Sequence, residues 1–301
     1  MGLELNLEIY RAVLESVPIG VYLTDRKRQI LFWNTTSERI TGYLGQEVIG
    51  RFCHDNLLMH CDENQVALCG CACPLARAMQ DGRPQEANVF LRHKAGQRVP
   101  VRVKAVPLRD EFGVVIGAAE FFEVRSFRAT EMRCPYLRGN VSLDHVTEIP
   151  DRQAMQAALS AALEEFDVFQ VAFGVLAIAI DNLDHLRRVY GCQAVSAVLY
   201  ATAQTLLAGT RSDDLVGRWK ENRFAELVVC PANEGLRSCA ERLKRLVSLA
   251  SVPWWGDRLS FTVSVGATMV RRGDTVDALL GRAEEALEAA QALLGDSILL
   301  V

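Results

Sequence analysis

Five cysteines, Cys53, Cys61, Cys69, Cys71 and Cys73, fall within twenty-one residues, and His54 and His60 lie among them. Thiolates and imidazoles are the ligands of zinc, and thiolates hold iron–sulfur clusters. A thiol set of this density also suits redox sensing. The spacing contains no CxxC pair. The run Cys69-Gly70-Cys71-Ala72-Cys73 places thiols at alternate positions, which an extended segment sends to one side. Zinc, an iron–sulfur cluster, a redox thiol set and ordinary packing of small side chains all stay open as readings of this tract.

The elements that position such residues follow from the whole chain. Its 301 residues suffice for two domains. Half of them are apolar and 23% charged, the balance of a globular protein. A net charge of -4 gives no electrostatic case for nucleic acid or a membrane surface as partner. The first fifteen residues carry early acidic side chains and no long apolar core, unlike a secretory signal. The longest apolar run, Val171 to Ile180, is too short to cross a bilayer and suits a strand buried on both faces. A cytoplasmic location is therefore expected. The nine cysteines are then expected as reduced thiols or metal ligands rather than disulfides.

Residues 1–125 read as one unit. An amphipathic helix covers Leu7 to Glu15, and strands cover Gly20 to Thr24 and Gln29 to Trp33. Polar helical segments run from Thr35 to about Met79. Three strands follow, Ala87 to His93, Val99 to Leu108 and Val114 to Val124, separated by Gly-containing turns. Trp33 reads as strand packing, Asn34 as a helix cap, and His60 and His93 as surface or cap histidines. The stretches PIGVYLTDRKRQILFWN, ERITGYLGQEVIG, FLRHKAGQRVPVRV and GVVIGAAEFFEV resemble the PAS sensor family. That resemblance implies an antiparallel sheet with a helical insert. Cys53, Cys69 and Cys73 belong to a pattern shared by some PAS domains, whereas Cys61 and Cys71 are extras.

Residues 126–142 read as a linker, since Pro135 and Gly139 interrupt any continuous helix. From residue 143 to 301 strands and helices alternate. Pro150 suits the first position of a helix ending near Phe166. Val171 to Ile180 is a buried strand, Leu183 to Leu207 one long helix, and Leu215 to Val229 a hairpin. Leu236 to Leu249 is a helix, Ser260 to Val270 a strand, and Val276 to Leu294 a helix. This α+β order is that of a ferredoxin-like βαββαβ core. Cys192, Cys230 and Cys239 read as buried small residues, Arg187-Arg188 as a solvated helix face, and Trp254-Trp255 as a lid over one end of the core, with an exposed partner contact as the alternative.

The hairpin Arg218-Trp219-Lys220-Glu221-Asn222-Arg223-Phe224, the frame Thr147, Pro150, Arg152 and Gly191, and the FTVSVGA strand resemble the GGDEF family of diguanylate cyclases. These enzymes join two GTP into cyclic di-GMP. Such condensation needs carboxylate-held divalent metal to neutralise phosphate charge. Where the resemblance implies the paired glycines and acidic letters of the motif, this chain has Lys220, Glu221, Asn222 and Arg223. Aligned through Tyr190-Gly191, the metal-binding aspartate becomes Ala179, with Asp181 on the second, non-ligand aspartate. The guanine-reading positions become Arg187 and Ser196, and the closing helix offers Gln291 and Gly295 in place of phosphate-binding cations. A catalytically inactive, regulatory domain is the expectation. An active cyclase with an atypical site is the alternative.

The resemblance also implies an inhibitory RxxD site. Arg211-Ser212-Asp213-Asp214 matches it at the usual offset before the hairpin, so that Arg211 and Asp214 would bind cyclic di-GMP through a guanidinium fork and a carboxylate acceptor. Arg242 and Arg245 are candidates to complete it. The whole reads as a bacterial signal-transduction protein, a PAS sensor coupled to a degenerate GGDEF domain. A homodimer or a protein partner in cyclic di-GMP signalling is the expected assembly. Zinc or iron–sulfur in the PAS domain, making it a metal or redox sensor, is the further alternative.

Overall fold

The computed structural model describes residues 7–55, 57–62, 66–69, 72–125, 134–137, 141–293 and 295–301. The chain divides into two compact units, Met1–Lys94 with Val99–Arg125, and Ala95–Arg98 with Ser126–Val301.

In the first unit, helix α1 (Leu7–Ser16) precedes strands β1 (Gly20–Asp25) and β2 (Ile30–Trp33). Short helices α2 (Thr35–Thr41), α3 (Gly45–Val48) and α4 (Pro74–Asp81) form the insert, and β3 (Gln85–Arg92), β4 (Arg98–Arg109) and β5 (Val115–Val124) complete the sheet. The strand order is β2-β1-β5-β4-β3, and the β1–β2, β1–β5 and β4–β5 ladders are antiparallel. Asn34 fixes the switch from strand to helix. Its Oδ1 accepts from Ser37 N–H at 2.8 Å and from Val21 N–H at 3.0 Å, so one side chain caps α2 and ties it to β1. Tyr22, Trp33 and Phe122 pack with ring centroids 5.4–6.2 Å apart, within the favourable range for tilted and edge-on pairs.

In the second unit, α5 (Arg152–Phe169) leads to β6 (Phe173–Ile180), α6 (Leu183–Gly209), β7 (Leu215–Lys220), β8 (Arg223–Val229) and α7 (Asn233–Ser248). Then come β9 (Ser251–Trp254), β10 (Asp257–Ser260), β11 (Val263–Met269), α8 (Val276–Ala292) and β12 (Ile298–Leu300). The main sheet runs β12-β11-β6-β8-β7 and is mixed, because β12 alone lies parallel to its neighbour. Without β12 it has the order and antiparallel pairing of a ferredoxin-like core. Strand β6 is buried along its whole length. Its alternate residues feed two cores: Leu176, Ile178 and Ile180 pack toward α6 and α7, and Val175, Ala177 and Ala179 toward α5 and α8. Cys134 and Tyr136, within the tract that reads as linker, join the second of these cores. The remainder of that tract up to residue 133, and residues 138–140, lie outside the described residues.

Several local expectations change. Helix α5 starts after Pro150, because Asp151 is the cap and its carboxylate accepts from Ala154 N–H at 2.9 Å. The long helix is broken at Gly191, whose φ of 82° and ψ of 177° leave the helical region for one open mainly to glycine. Cys192, next to the break, is exposed rather than buried. The hairpin β9–β10 takes the place of a lid: Trp254 packs on the core, while Trp255 sits in the turn, 91% exposed.

Candidate functional site

The β7–β8 hairpin closes on itself and on α8. Lys220 pairs with Arg223 across a two-residue turn made of Glu221 and Asn222. The Arg218 guanidinium folds over that turn. Its Nε donates to Lys220 O at 2.8 Å, and a terminal nitrogen donates to Glu221 O. The same side chain lies 3.7 Å from Asp144 and 5.5 Å over the Phe224 ring. Lys220 Nζ lies 2.6 Å from Glu284 Oε1, Arg223 is 3.7 Å from the same oxygen, and Arg223 is also 3.4 Å from Glu288. Glu221 turns the other way and meets Arg187 at 2.8 Å. Arg187, expected on a solvated face, is thus a partner of the hairpin. Asn222 is half-buried in the turn.

Ala179 is buried at the end of β6, with Arg223 and Ser264 as its neighbours across the two ladders. Asp181, two residues on, is spent on architecture. It accepts from Thr262 Oγ1 at 2.7 Å, Ser264 Oγ at 2.8 Å and Asp296 N–H at 2.9 Å, joining β6, β11 and the turn before β12. Gly295 lies against it: a Cβ there would come 3.0 Å from the carboxylate carbon.

Beside the hairpin a cleft of about 850 Å³ is lined by Asp144, Arg152, Arg187, Ser196, Trp219 and Lys220, among others. Arg152 lies 4.9 Å over the Trp219 ring, a cation–π contact that holds both side chains at the cleft wall.

The residues of the RxxD tract separate by depth. Arg211 is exposed, whereas Asp214 is 2% exposed, with its Oδ1 accepting from Val229 N–H at 2.8 Å. Burial raises the Asp214 pKa above the usual carboxylate value, against the pull of that backbone donor and of Arg211 and Arg242. Behind it lies Glu226, fully buried on β8, whose pKa burial and the Asp214 charge push up to about 8. Arg242 donates to Cys239 Sγ at 3.5 Å, and Arg245 is 3.9 Å from Glu241 on its own helix.

Cys53, Cys61 and Cys73 are buried, Cys69 is half-buried, and Cys71 lies outside the described residues. Cys53, Cys69 and Cys73 are close enough to Glu120 and Arg28 to feel their charges. The Cys61 Sγ donates to Phe90 O at 3.8 Å. Burial pushes the thiols of Cys53, Cys69 and Cys73 up, opposite to the shift that makes a reactive thiolate. Glu120 is fully buried, and burial raises its pKa to about 7 against the opposing influence of the Tyr22 hydroxyl. His60, expected at the surface, is buried, with Nε2 3.8 Å from Glu120. Among the described residues, one set of three cysteine, histidine or carboxylate side chains has its ligand atoms within metal-binding reach, and it is Asp214, Glu226 and Cys239 rather than the first unit's thiols.

The profile "Diguanylate cyclase, GGDEF domain" matches residues 141–294, and "PAS fold" matches residues 14–129. The chain belongs to the GGDEF-domain family of diguanylate cyclases and carries a PAS domain ahead of that domain. It is a PAS–GGDEF signalling protein. It is 30% identical to the diguanylate cyclase DgcP of Pseudomonas aeruginosa over 156 residues, 49% of this chain and 22% of that protein. It is 33% identical to the diguanylate cyclase DgcM of Escherichia coli over 119 residues, 40% of this chain and 28% of that protein. The chain spans about a quarter of the length of the curated relatives it matches. Two crystal structures share the fold of the second unit. Diguanylate cyclase SiaD in complex with its activator SiaC from Pseudomonas aeruginosa has a TM-score of 0.52 at 24% identity, covering 53% of this chain and 61% of that one. The GGDEF domain of DgcB from Caulobacter crescentus in complex with c-di-GMP has a TM-score of 0.51 at 19% identity, covering 54% and 94%. Among the described residues no helix is long and apolar enough to cross a membrane.

Sequence reasoning missed Glu284 and Glu288. Their spacing of four on α8 puts two carboxylates on one helix face, and that was the available clue. It also missed Glu226, a carboxylate set in the apolar strand FAELVV.

Proposed function

We propose that this protein is a signalling module whose PAS domain governs partner pairing by a GGDEF domain that does not condense GTP. The observation that carries this reading is the hairpin turn fastened to α8 by Lys220, Arg223, Glu284 and Glu288. Paired glycines would let a nucleotide approach the backbone, and here two long side chains stand in their place. The residues present do not fit the divalent metal of a cyclase. The Ala179 side chain has no ligand atom, Asn222 brings no charge, Asp181 is engaged with three donors, and Glu284 already neutralises two cations. The proposed setting is the cytoplasm, and the proposed partner is a second copy or another protein of cyclic di-GMP signalling. Product analysis after incubation with GTP and Mg²⁺ tests the reading: no cyclic di-GMP is expected, and its formation would restore the active-cyclase alternative.

A second reading, cyclic di-GMP binding by the Arg211–Asp214 turn, is favoured by the exposure of Arg211. In that reading Arg211 makes the ligand contact, and Asp214 supports the turn through Val229. Calorimetric titration with cyclic di-GMP, beside Arg211→Ala, tests it.

A further inference from the structure

The interior of the second unit holds a polar cluster that the hairpin does not use. Asp214 stands at the entry to β7, Glu226 in the middle of β8 and Cys239 on α7, and all three are buried. One ligand atom from each lies within 4.8 Å of the others, and Cys239 Sγ is 3.9 Å from Glu226 Oε1. Asp214 spends Oδ1 on Val229 N–H, but its Oδ2 and Glu226 Oε2 have no hydrogen-bond partner among the described residues. The Thr210 hydroxyl beside Glu226 donates to Leu206 O at 2.8 Å. Two buried carboxylate oxygens without a donor carry a desolvation cost that a cation would remove. Arg242, at Cys239 Sγ, and the exposed Arg211 are the cations near Asp214.

We infer that Asp214, Glu226 and Cys239 form a binding site for Zn²⁺. One thiolate with two carboxylates is a soft–hard mixture that suits zinc and is poor for magnesium or calcium, which take oxygen ligands in larger number. Zinc bonds of about 2.0–2.3 Å place tetrahedral neighbours roughly 3.5 Å apart, so side-chain adjustments of about 1 Å close the set on one ion. Water takes the fourth position. Cys239 and Glu226, the latter protonated near neutral pH in its buried setting, each give up a proton to solvent on binding, and the Arg242 guanidinium leaves the sulfur. The ion then ties α7 to the β7–β8 hairpin beneath the Arg211 turn.

The test uses the full chain, stripped with a chelator and titrated with Co²⁺, whose thiolate charge-transfer absorption reports sulfur ligation, followed by displacement with Zn²⁺. The wild type is expected to bind one equivalent at this site. Cys239→Ser should remove the absorption. Glu226→Gln, nearly isosteric, should weaken binding by more than the about tenfold that loss of a supporting partner costs a metal site. Undiminished absorption in Cys239→Ser would assign the ion to other thiols and overturn the inference. So would absence of binding by folded wild type at micromolar metal. X-ray absorption of the Zn²⁺-loaded wild type needs no variant: one sulfur with oxygen neighbours is expected, and two or more sulfurs, or none, would contradict the site.

Discussion

Lys220 Nζ lies 2.6 Å from the carboxylate of Glu284, so the turn of the β7–β8 hairpin is fastened to α8 by a side chain from each. Arg223 shares that carboxylate and adds Glu288. Both cations of the hairpin turn are thus neutralised from within the domain.

Glu284→Ala should cost about 1 kcal/mol in urea unfolding, because it removes the carboxylate that Lys220 pairs with and leaves Arg223 with Glu288 alone in a partly exposed network. The loss should shrink when ionic strength rises from about 0.1 to 1 M, since screening shortens from about 10 to 3 Å. A cost that ignores salt would mean Glu284 acts by packing.

Asp181→Ala should destabilise the second domain by about 2–4 kcal/mol, because Thr262, Ser264 and the Asp296 N–H all lose their acceptor. The readout is the midpoint of thermal or urea unfolding. A near-neutral effect would release Asp181 from the architectural role and reopen it as a ligand.

Glu120 gives the PAS domain a pH dependence of defined sign. Burial raises its pKa from the ordinary 4.5 to about 7 in the folded state. Tyr22, His60, Cys53, Cys69 and Cys73 surround it. The fold therefore prefers the protonated acid. This contribution is fully present below the unfolded value and is lost as pH rises through about 7. Relative to Glu120→Gln, the wild type should lose stability on the order of 3 kcal/mol between about pH 4.5 and 8. Parallel pH profiles for the two proteins would refute the burial argument.

On the proposed reading that the Arg211–Asp214 turn binds cyclic di-GMP, Arg211→Ala should abolish that binding, while Asp214→Asn should alter it through the turn's stability, since Asp214 is buried and bonded to Val229. Calorimetry and unfolding of both variants separate the two effects. Equal loss of affinity with unchanged stability would make Asp214 a ligand contact.

Both domains were legible because their strands carry period-two or continuous apolar patterns. Strand β6 is the clearest, an apolar run that is buried from Phe173 to Ile180. The break in α6 was not, because one glycine inside a helical pattern costs only about 1 kcal/mol and rarely ends it. The β9–β10 hairpin was hidden by Pro253 and by a turn in which Trp255 takes a positive φ of 48°, an uncommon role for a bulky side chain. At the site, the substituted letters Ala179 and Lys220–Arg223 could be read directly. Their partners could not, because Glu284 and Glu288 meet them only across the tertiary fold, some sixty residues away in sequence. The Glu226–Cys239 contact, 3.9 Å between a strand and a helix, was beyond reach for the same reason.

The most direct measurement is product analysis by mass spectrometry after prolonged incubation of the full chain with GTP and Mg²⁺, beside an active diguanylate cyclase as control. No cyclic di-GMP above background is predicted at any protein concentration. Accumulation of cyclic di-GMP in proportion to protein and time would contradict the account, and would mean that the hairpin releases Glu284 and holds a metal-bound nucleotide after all.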